Sequence, residues 1–248
     1  MKTTATEYGT VHVGAPNEIF AELAGIGVGS WLAAERGRFT WALAGGSTPK
    51  AWYEWCVERG ALPARMLAET HWFASDERCV PLASDESNFG NAARLLLDPF
   101  GVLNERRHPW RADAAPAAAV AQMAAELATV VGPERGFSLC LLGLGDDAHT
   151  ASLFPGSPLL GAATGEHFAA IKVYGKGWRL TVTPTGLASC GHLVIAAQGA
   201  TKAEAVRRVF CGSEPLLAVP GKVFRVIGPR TTWLLDPAAA AACPQFLA

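Results

Sequence analysis

The chain has 248 residues, half of them hydrophobic and 17% charged, with a net charge of −1. That length accommodates one large α/β domain or two small ones, with enough apolar residues for a sizeable core. The near-zero charge excludes a global field for nucleic acid or an anionic membrane, so any anion site must be local.

In chain order, residues 16–35 read as a helix weakened by Gly25, Gly27 and Gly29, and residues 39–44 as a strand. Residues 49–59 read as a helix, 71–74 as a strand, and 88–97 and 116–131 as helices. The apolar run 137–142 is a strand. Two shorter strand candidates follow at 168–173 and 179–182. The pattern ends with strand 192–197, helix 201–210 and strand 231–235. The alanine-rich stretches 114–128 and 238–242 look like small-residue helices, and 156–165 and 213–221 read as loops. Strand–helix alternation predicts a mainly parallel sheet covered on both faces. In such sheets ligands collect at the carboxyl ends of the strands.

The six cysteines, Cys56, Cys79, Cys140, Cys190, Cys211 and Cys243, form no C-x-x-C pair and no metal-ligand spacing. The expectation is six reduced, structural thiols, with Cys140 in the core. The N-terminus has no apolar h-region, and the longest apolar runs are interrupted by Gly or Pro or fall short of the about 20 residues a bilayer needs.

Four segments after strands carry candidate chemistry. Gly45-Gly46-Ser47-Thr48-Pro49 precedes a helix, with Thr48 as expected cap and Pro49 at the first helical position. Exposed N–H groups at a helix start bind phosphate, and an anion would relieve Lys50 in the first turn. The bland alternative is a well-capped tight turn. Asp76-Glu77-Arg78 places three charges at a strand end, where Arg78 can grip a phosphate or carboxylate; the alternative is a surface ion-pair cluster. Ser87-Asn88 reads first as a helix cap. The Gly-rich segment 143–156 contains His149, the one histidine in a loop after a buried strand. Imidazole is a fit general base near neutrality, and either Asp146 or Asp147 can orient it. For His12, His71, His108, His167 and His192 the structural reading dominates. Gly143, Gly145 and Ala148 also match G-x-G-x-x-A, but the helix that this dinucleotide fingerprint requires is broken by Pro155 and Gly156. Finally, Thr201 and Glu204 form a capping-box pattern that would put Lys202 in the first helical turn, and Arg179 is a further candidate cation. No G-x-S-x-G, H-E-x-x-H or P-loop is present.

Taken in order, these segments resemble the 6-phosphogluconolactonase family. The matching pieces are Gly-Gly-Ser-Thr-Pro at 45–49, Asp-Glu-Arg at 76–78 and Ser-Asn at 87–88. His-Thr-Ala-Ser-Leu-Phe-Pro-Gly at 149–156, Arg-Leu-Thr at 179–181 and Gly-x-x-Lys-Ala at 199–203 complete the set. The resemblance implies a single Rossmann-like three-layer α/β/α domain over residues 1–248 with a mainly parallel sheet. It implies cytoplasmic hydrolysis of 6-phospho-D-glucono-1,5-lactone in the oxidative pentose phosphate pathway, without metal or organic cofactor. The expected catalytic set is His149, Asp147 and Arg78; the expected substrate- and phosphate-binding set is Gly45, Gly46, Ser47, Thr48, Asp76, Arg179 and Lys202. The implied partner is a small sugar phosphate, with no nucleic acid or membrane, for a monomer or weak homodimer. A glucosamine-6-phosphate deaminase-type isomerase shares the fold but typically carries Asn-Gly-His-Ile-Gly-Phe-Asn-Glu-Pro where this chain has Asp-Ala-His-Thr-Ala-Ser-Leu-Phe-Pro at 147–155. A non-catalytic sugar-phosphate binder is the other alternative. Three departures stand out: Ala148 where the family usually has Gly, 174–178 where a Pro-rich segment is common, and 214–221 before the last strand. If position 148 takes a positive φ, alanine costs roughly 1–2 kcal/mol there.

Overall fold

The computed structural model describes residues 1–161 and 165–247; residues 162–164 of the loop expected at 156–165 lie outside the described residues. The chain opens with a hairpin, β1 (Lys2–Thr6) and β2 (Gly9–Val13), that the apolar pattern had not marked as strands. Helix α1 (Pro16–Ala33) follows with Pro16 in its first turn. Next come β3 (Thr40–Leu43), α2 (Ser47–Arg59), the short α3 (Ala64–Glu69), β4 (His71–Ala74) and β5 (Asp76–Arg78). The helix expected at 88–97 is α4 (Asn88–Ala92), capped by Ser87 and continued by a π-helical turn, Ala93–Leu97. Then come α5 (Pro116–Val131), β6 (Leu139–Leu142), β7 (Phe168–Val173), β8 (Gly177–Val182) and α6 (Pro184–Ser189). The chain closes with β9 (His192–Ala197), α7 (Ala203–Phe210) and β10 (Thr231–Leu235). The alanines at 238–242 lie in turns and form no helix.

The main sheet has seven strands in the order β1-β2-β10-β9-β6-β3-β4, antiparallel only at the β1–β2 hairpin. Helices cover it in a Rossmann-like three-layer α/β/α arrangement, as expected. Its central strands β3, β6 and β9 are apolar beyond the first residues Thr40 and His192 because both faces are buried. The β3–β4 register sets Trp41 opposite Trp72, so the two indoles stack at 5.4 Å, and Trp52 of α2 lies 5.4 Å from Trp41. All three are fully buried; truncating such a side chain typically costs about 3–5 kcal/mol. The two short strand candidates do not join this sheet. With β5 they form a separate antiparallel sheet, β5-β8-β7. Ser75 alone separates β4 from β5, so one residue links the sheets.

Candidate active site

The chain passes from β3 outward to β4 and later returns to β6 on the other side of β3. Such a switch point opens a crevice at the carboxyl ends of the strands. A cleft with about 720 Å³ of open space lies there. It is lined from the segment after β3 (Gly45, Gly46, Ser47, Thr48), from the β4–β5 link (Ser75, Asp76, Arg78) and from the loop after β6 (Gly143, Gly145, His149). Asn88 and Lys202 complete the wall.

His149 is held locally. Its Nδ1 lies 2.5 Å from Asp147 Oδ1, which also accepts the His149 backbone N–H at 3.0 Å. A carboxylate only accepts, so the ring proton sits on Nδ1 and the lone pair of the neutral ring is on Nε2. Burial pushes the Asp147 carboxyl up, but the two His149 bonds, the His149 charge and Lys176 outweigh it and hold the pKa below its usual value. Phe154 packs against the imidazole at 4.4 Å, and Lys176 Nζ lies 4.8 Å from the centre of that phenyl ring. On another side is Gly145, where a Cβ would come within 2.0 Å of His149 Nδ1. The turn is strained: Ala148 has φ 66° and Ala151 φ 46°, a region L-residues avoid. No helix follows Gly143–Ala148, so the G-x-G-x-x-A match lacks its phosphate-binding helix.

The segment after β3 differs in detail from the expectation. Gly46, at φ 101°, is the N-cap, and α2 begins at Ser47. Thr48 therefore does not cap, and Pro49 is the third helical residue. The N–H groups of Ser47 and Thr48 fall in the first turn, where no intrahelical acceptor exists. Lys50 does not line the cleft. Gly45 has Asn88 against it: a Cβ would lie 1.9 Å from Asn88 Oδ1.

Asp-Glu-Arg at 76–78 forms a strand, whose alternation separates its charges. Asp76 and Arg78 line the cleft; Glu77 does not. Glu77 instead accepts from Ser87 Oγ and from the backbone N–H groups of Arg78, Asn88 and Phe89, anchoring the start of α4. Asp76 is buried between Ser152 Oγ, which donates at 2.7 Å, and Asn88 Nδ2, at 3.1 Å. Burial raises its pKa, against the opposing pull of Ser152, Arg78, His149 and Arg179.

The cations are arranged differently from the sequence expectation. Lys202 lines the cleft but is paired with Asp146 at 2.7 Å, so Asp146 does not orient His149. Lys202 ends a 3-10 turn, Ala200–Lys202, capped by Gly199, and the Thr201–Glu204 capping box does not form because Glu204 pairs with Arg207. Arg179 does not line the cleft. It donates to the carbonyls of Lys176 and Trp178 and lies directly across the β5–β8 ladder from Arg78. Burial and then the Arg78 charge lower its pKa, as expected of two crowded guanidinium groups.

Ser75, Gly145 and the bracing role of Asn88 escaped the sequence reading. Ser75 carries no charge or motif signature of its own, Gly145 stands in the G-x-G-x-x-A match, which points to a dinucleotide and not to His149, and Ser87-Asn88 had a sufficient explanation as a cap. Among the described residues no group of three or more His, Cys, Asp or Glu is arranged to hold a metal ion, and no helix is long and apolar enough to cross a membrane. All six cysteines are free, but Cys211 is exposed and not a core residue.

The family model described as glucosamine-6-phosphate isomerases/6-phosphogluconolactonase matches residues 28–233. A 6-phosphogluconolactonase of Synechocystis is 36% identical over 211 residues, covering 83% of this chain and 85% of its own. One from Nostoc is 34% identical over 214 residues, covering 84% and 85%. Among solved structures, 6-phosphogluconolactonase from Trypanosoma cruzi has a TM-score of 0.80 at 25% identity, covering 98% of each chain. A monomeric glucosamine-6-phosphate deaminase shares the fold, with a TM-score of 0.77 at 16% identity over 94% of this chain and 99% of its own.

Proposed function

The chain belongs to the glucosamine-6-phosphate isomerase/6-phosphogluconolactonase family, and from that premise we propose that it hydrolyses 6-phosphogluconolactone to 6-phosphogluconate with His149 as general base. The observation that carries the residue assignment is the Asp147–His149 pair on the wall of a cleft whose other side is a helix N-terminus.

The phosphate docks on the first-turn N–H groups of Ser47 and Thr48, where the helix dipole favours an anion. Arg78 and Lys202 supply positive charge, and Arg179 adds to the positive field from the next strand. Gly45 and Gly46 let the backbone approach, and Asp76 contacts the sugar. His149 Nε2 takes a proton from a water whose oxygen attacks the lactone carbonyl carbon. The oxyanion is stabilised by the neighbouring cations and N–H groups. The imidazolium, steadied by Asp147, then returns the proton to the departing ring oxygen. Residues 1–248 act as one domain, in the cytoplasm, as a monomer or weak homodimer.

The test is proton release from freshly generated 6-phosphogluconolactone above its spontaneous hydrolysis. Wild type should accelerate it, and His149→Ala should lose about 10²–10⁴-fold in kcat while still binding 6-phosphogluconate. Full activity in His149→Ala would remove His149 from the mechanism.

A further inference from the structure

Ser75, the single residue between β4 and β5, is fully buried. Its backbone is committed: the N–H donates to Leu43 O at 2.8 Å, and the carbonyl accepts from Val182 N at 2.9 Å. Its hydroxyl has no partner, although the residue lines the cleft. Polar groups of the flanking segments are engaged with one another. Asp76 takes Ser152 and Asn88, Thr150 Oγ1 donates to Gly143 O, and Thr181 Oγ1 accepts from Ser152 N. A buried, unpaired hydroxyl destabilises a fold, and alanine would carry no such penalty.

A second orphan lines the same cleft. Asn88 Oδ1 is buried and accepts no hydrogen bond. The amide cannot be reversed, because its Nδ2 donates to both Asp76 O and Asp76 Oδ1. The two orphans are therefore a hydroxyl, which donates and accepts, and a pure acceptor. A phosphate or carboxylate oxygen would be repelled by Asn88 Oδ1. Ligand hydroxyls, which both donate and accept, match the chemistry of both orphans. Anionic groups are drawn instead to Arg78 and Lys202.

We propose that Ser75, with Asn88 Oδ1 as the companion acceptor, is a specificity-determining residue that reads a ring hydroxyl of the sugar-phosphate lactone. This rests on the lactonase reading above.

The test compares kcat/KM for the parent lactone and its 2-, 3- and 4-deoxy analogues, using wild type, Ser75→Ala and Ser75→Cys. Cysteine keeps the buried volume while weakening the hydrogen bond, should the alanine variant fold poorly. Wild type should discriminate against one deoxy analogue by about tenfold or more. Both variants should lose about that factor on the parent and none on that analogue. Equal losses on all four lactones, or a wild type that treats the four alike, would overturn the proposal. A wild type that accelerates no lactone would sink the lactonase reading alone. Calorimetric Kd values for 6-phosphogluconate and its deoxy forms would then decide the hydroxyl reading: discrimination lost in Ser75→Ala supports it, and discrimination retained overturns it.

Discussion

Asp76 is held in the cleft wall with its pKa raised, chiefly by burial. The folded chain therefore binds that proton more tightly than the unfolded chain does. The ionised carboxyl costs stability at neutral pH, and the cost is shed as pH falls through the folded value toward the ordinary carboxylate range. Asp76→Asn should gain about 1 kcal/mol in urea unfolding at pH 7, lose turnover, and converge with wild type as pH approaches 4; a variant less stable at pH 7 would show that the charge is net stabilising. Gly145 serves the neighbouring imidazole by having no side chain. In Gly145→Ala the new methyl would meet His149 Nδ1 at 2.0 Å and push the ring from Asp147. A misplaced base of this kind costs about 10²-fold, so kcat should fall by that order with the circular dichroism spectrum intact. An unchanged kcat would mean that the ring adapts without loss. Ala148 and Ala151 keep their left-handed conformation because the surrounding turn over-determines it: Ala148 N donates to Gly145 O, and its carbonyl accepts from Gly221 N.

The strand β5 shows how one short element divides its labour. Its two outer residues face the cleft, and Glu77 between them accepts from four donors, three of which, Ser87 Oγ and the N–H groups of Asn88 and Phe89, tie down the start of α4. Glu77→Ala would strand those donors in a buried place, at about 3–5 kcal/mol. Urea unfolding should show that loss, and a change below about 1 kcal/mol would mean water replaces the carboxylate. This element was also the hardest to read from sequence. Strands buried on both faces, such as β3, β6 and β9, announce themselves as apolar runs, but Asp-Glu-Arg resembles a loop until its partner β8 is known. The hairpin β1–β2 was missed for a related reason: Lys2–Thr6 is threonine-rich and only half covered. The His149 loop was legible because its glycines and histidine follow an apolar run. The Thr201–Glu204 pattern misled because Arg207, one turn on, competes for the same glutamate.

Across the molecule, the end of the sheet opposite the cleft contains a directional chain of polar groups. Arg106 approaches His71 Nε2 at 2.6 Å, His71 Nδ1 meets His108 Nε2 at 2.9 Å, and His108 Nδ1 meets Glu126 at 3.3 Å. Arg106 only donates, so His71 must keep its Nε2 lone pair and stay neutral. Burial, then Arg106 and His108, lower its pKa to about 4. Between about pH 6.5 and 4 the unfolded chain takes up a proton that the fold refuses. This contribution is complete above that window and is lost as pH falls through it. For a half-exposed ring the loss should be about 1–2 kcal/mol after allowing for solvent screening. Urea midpoints at pH 7 and 4.5 should therefore converge more closely in His71→Gln than in wild type, and equal spreads would discount His71. The order of strands has a consequence in time. Thr10 pairs with Thr232, about 220 residues later in synthesis. At roughly 5–20 residues per second on the ribosome, β2 waits roughly 10–40 s for its parallel neighbour. Until then the hairpin has nowhere to dock, so the first-made piece of the sheet is among the last to settle.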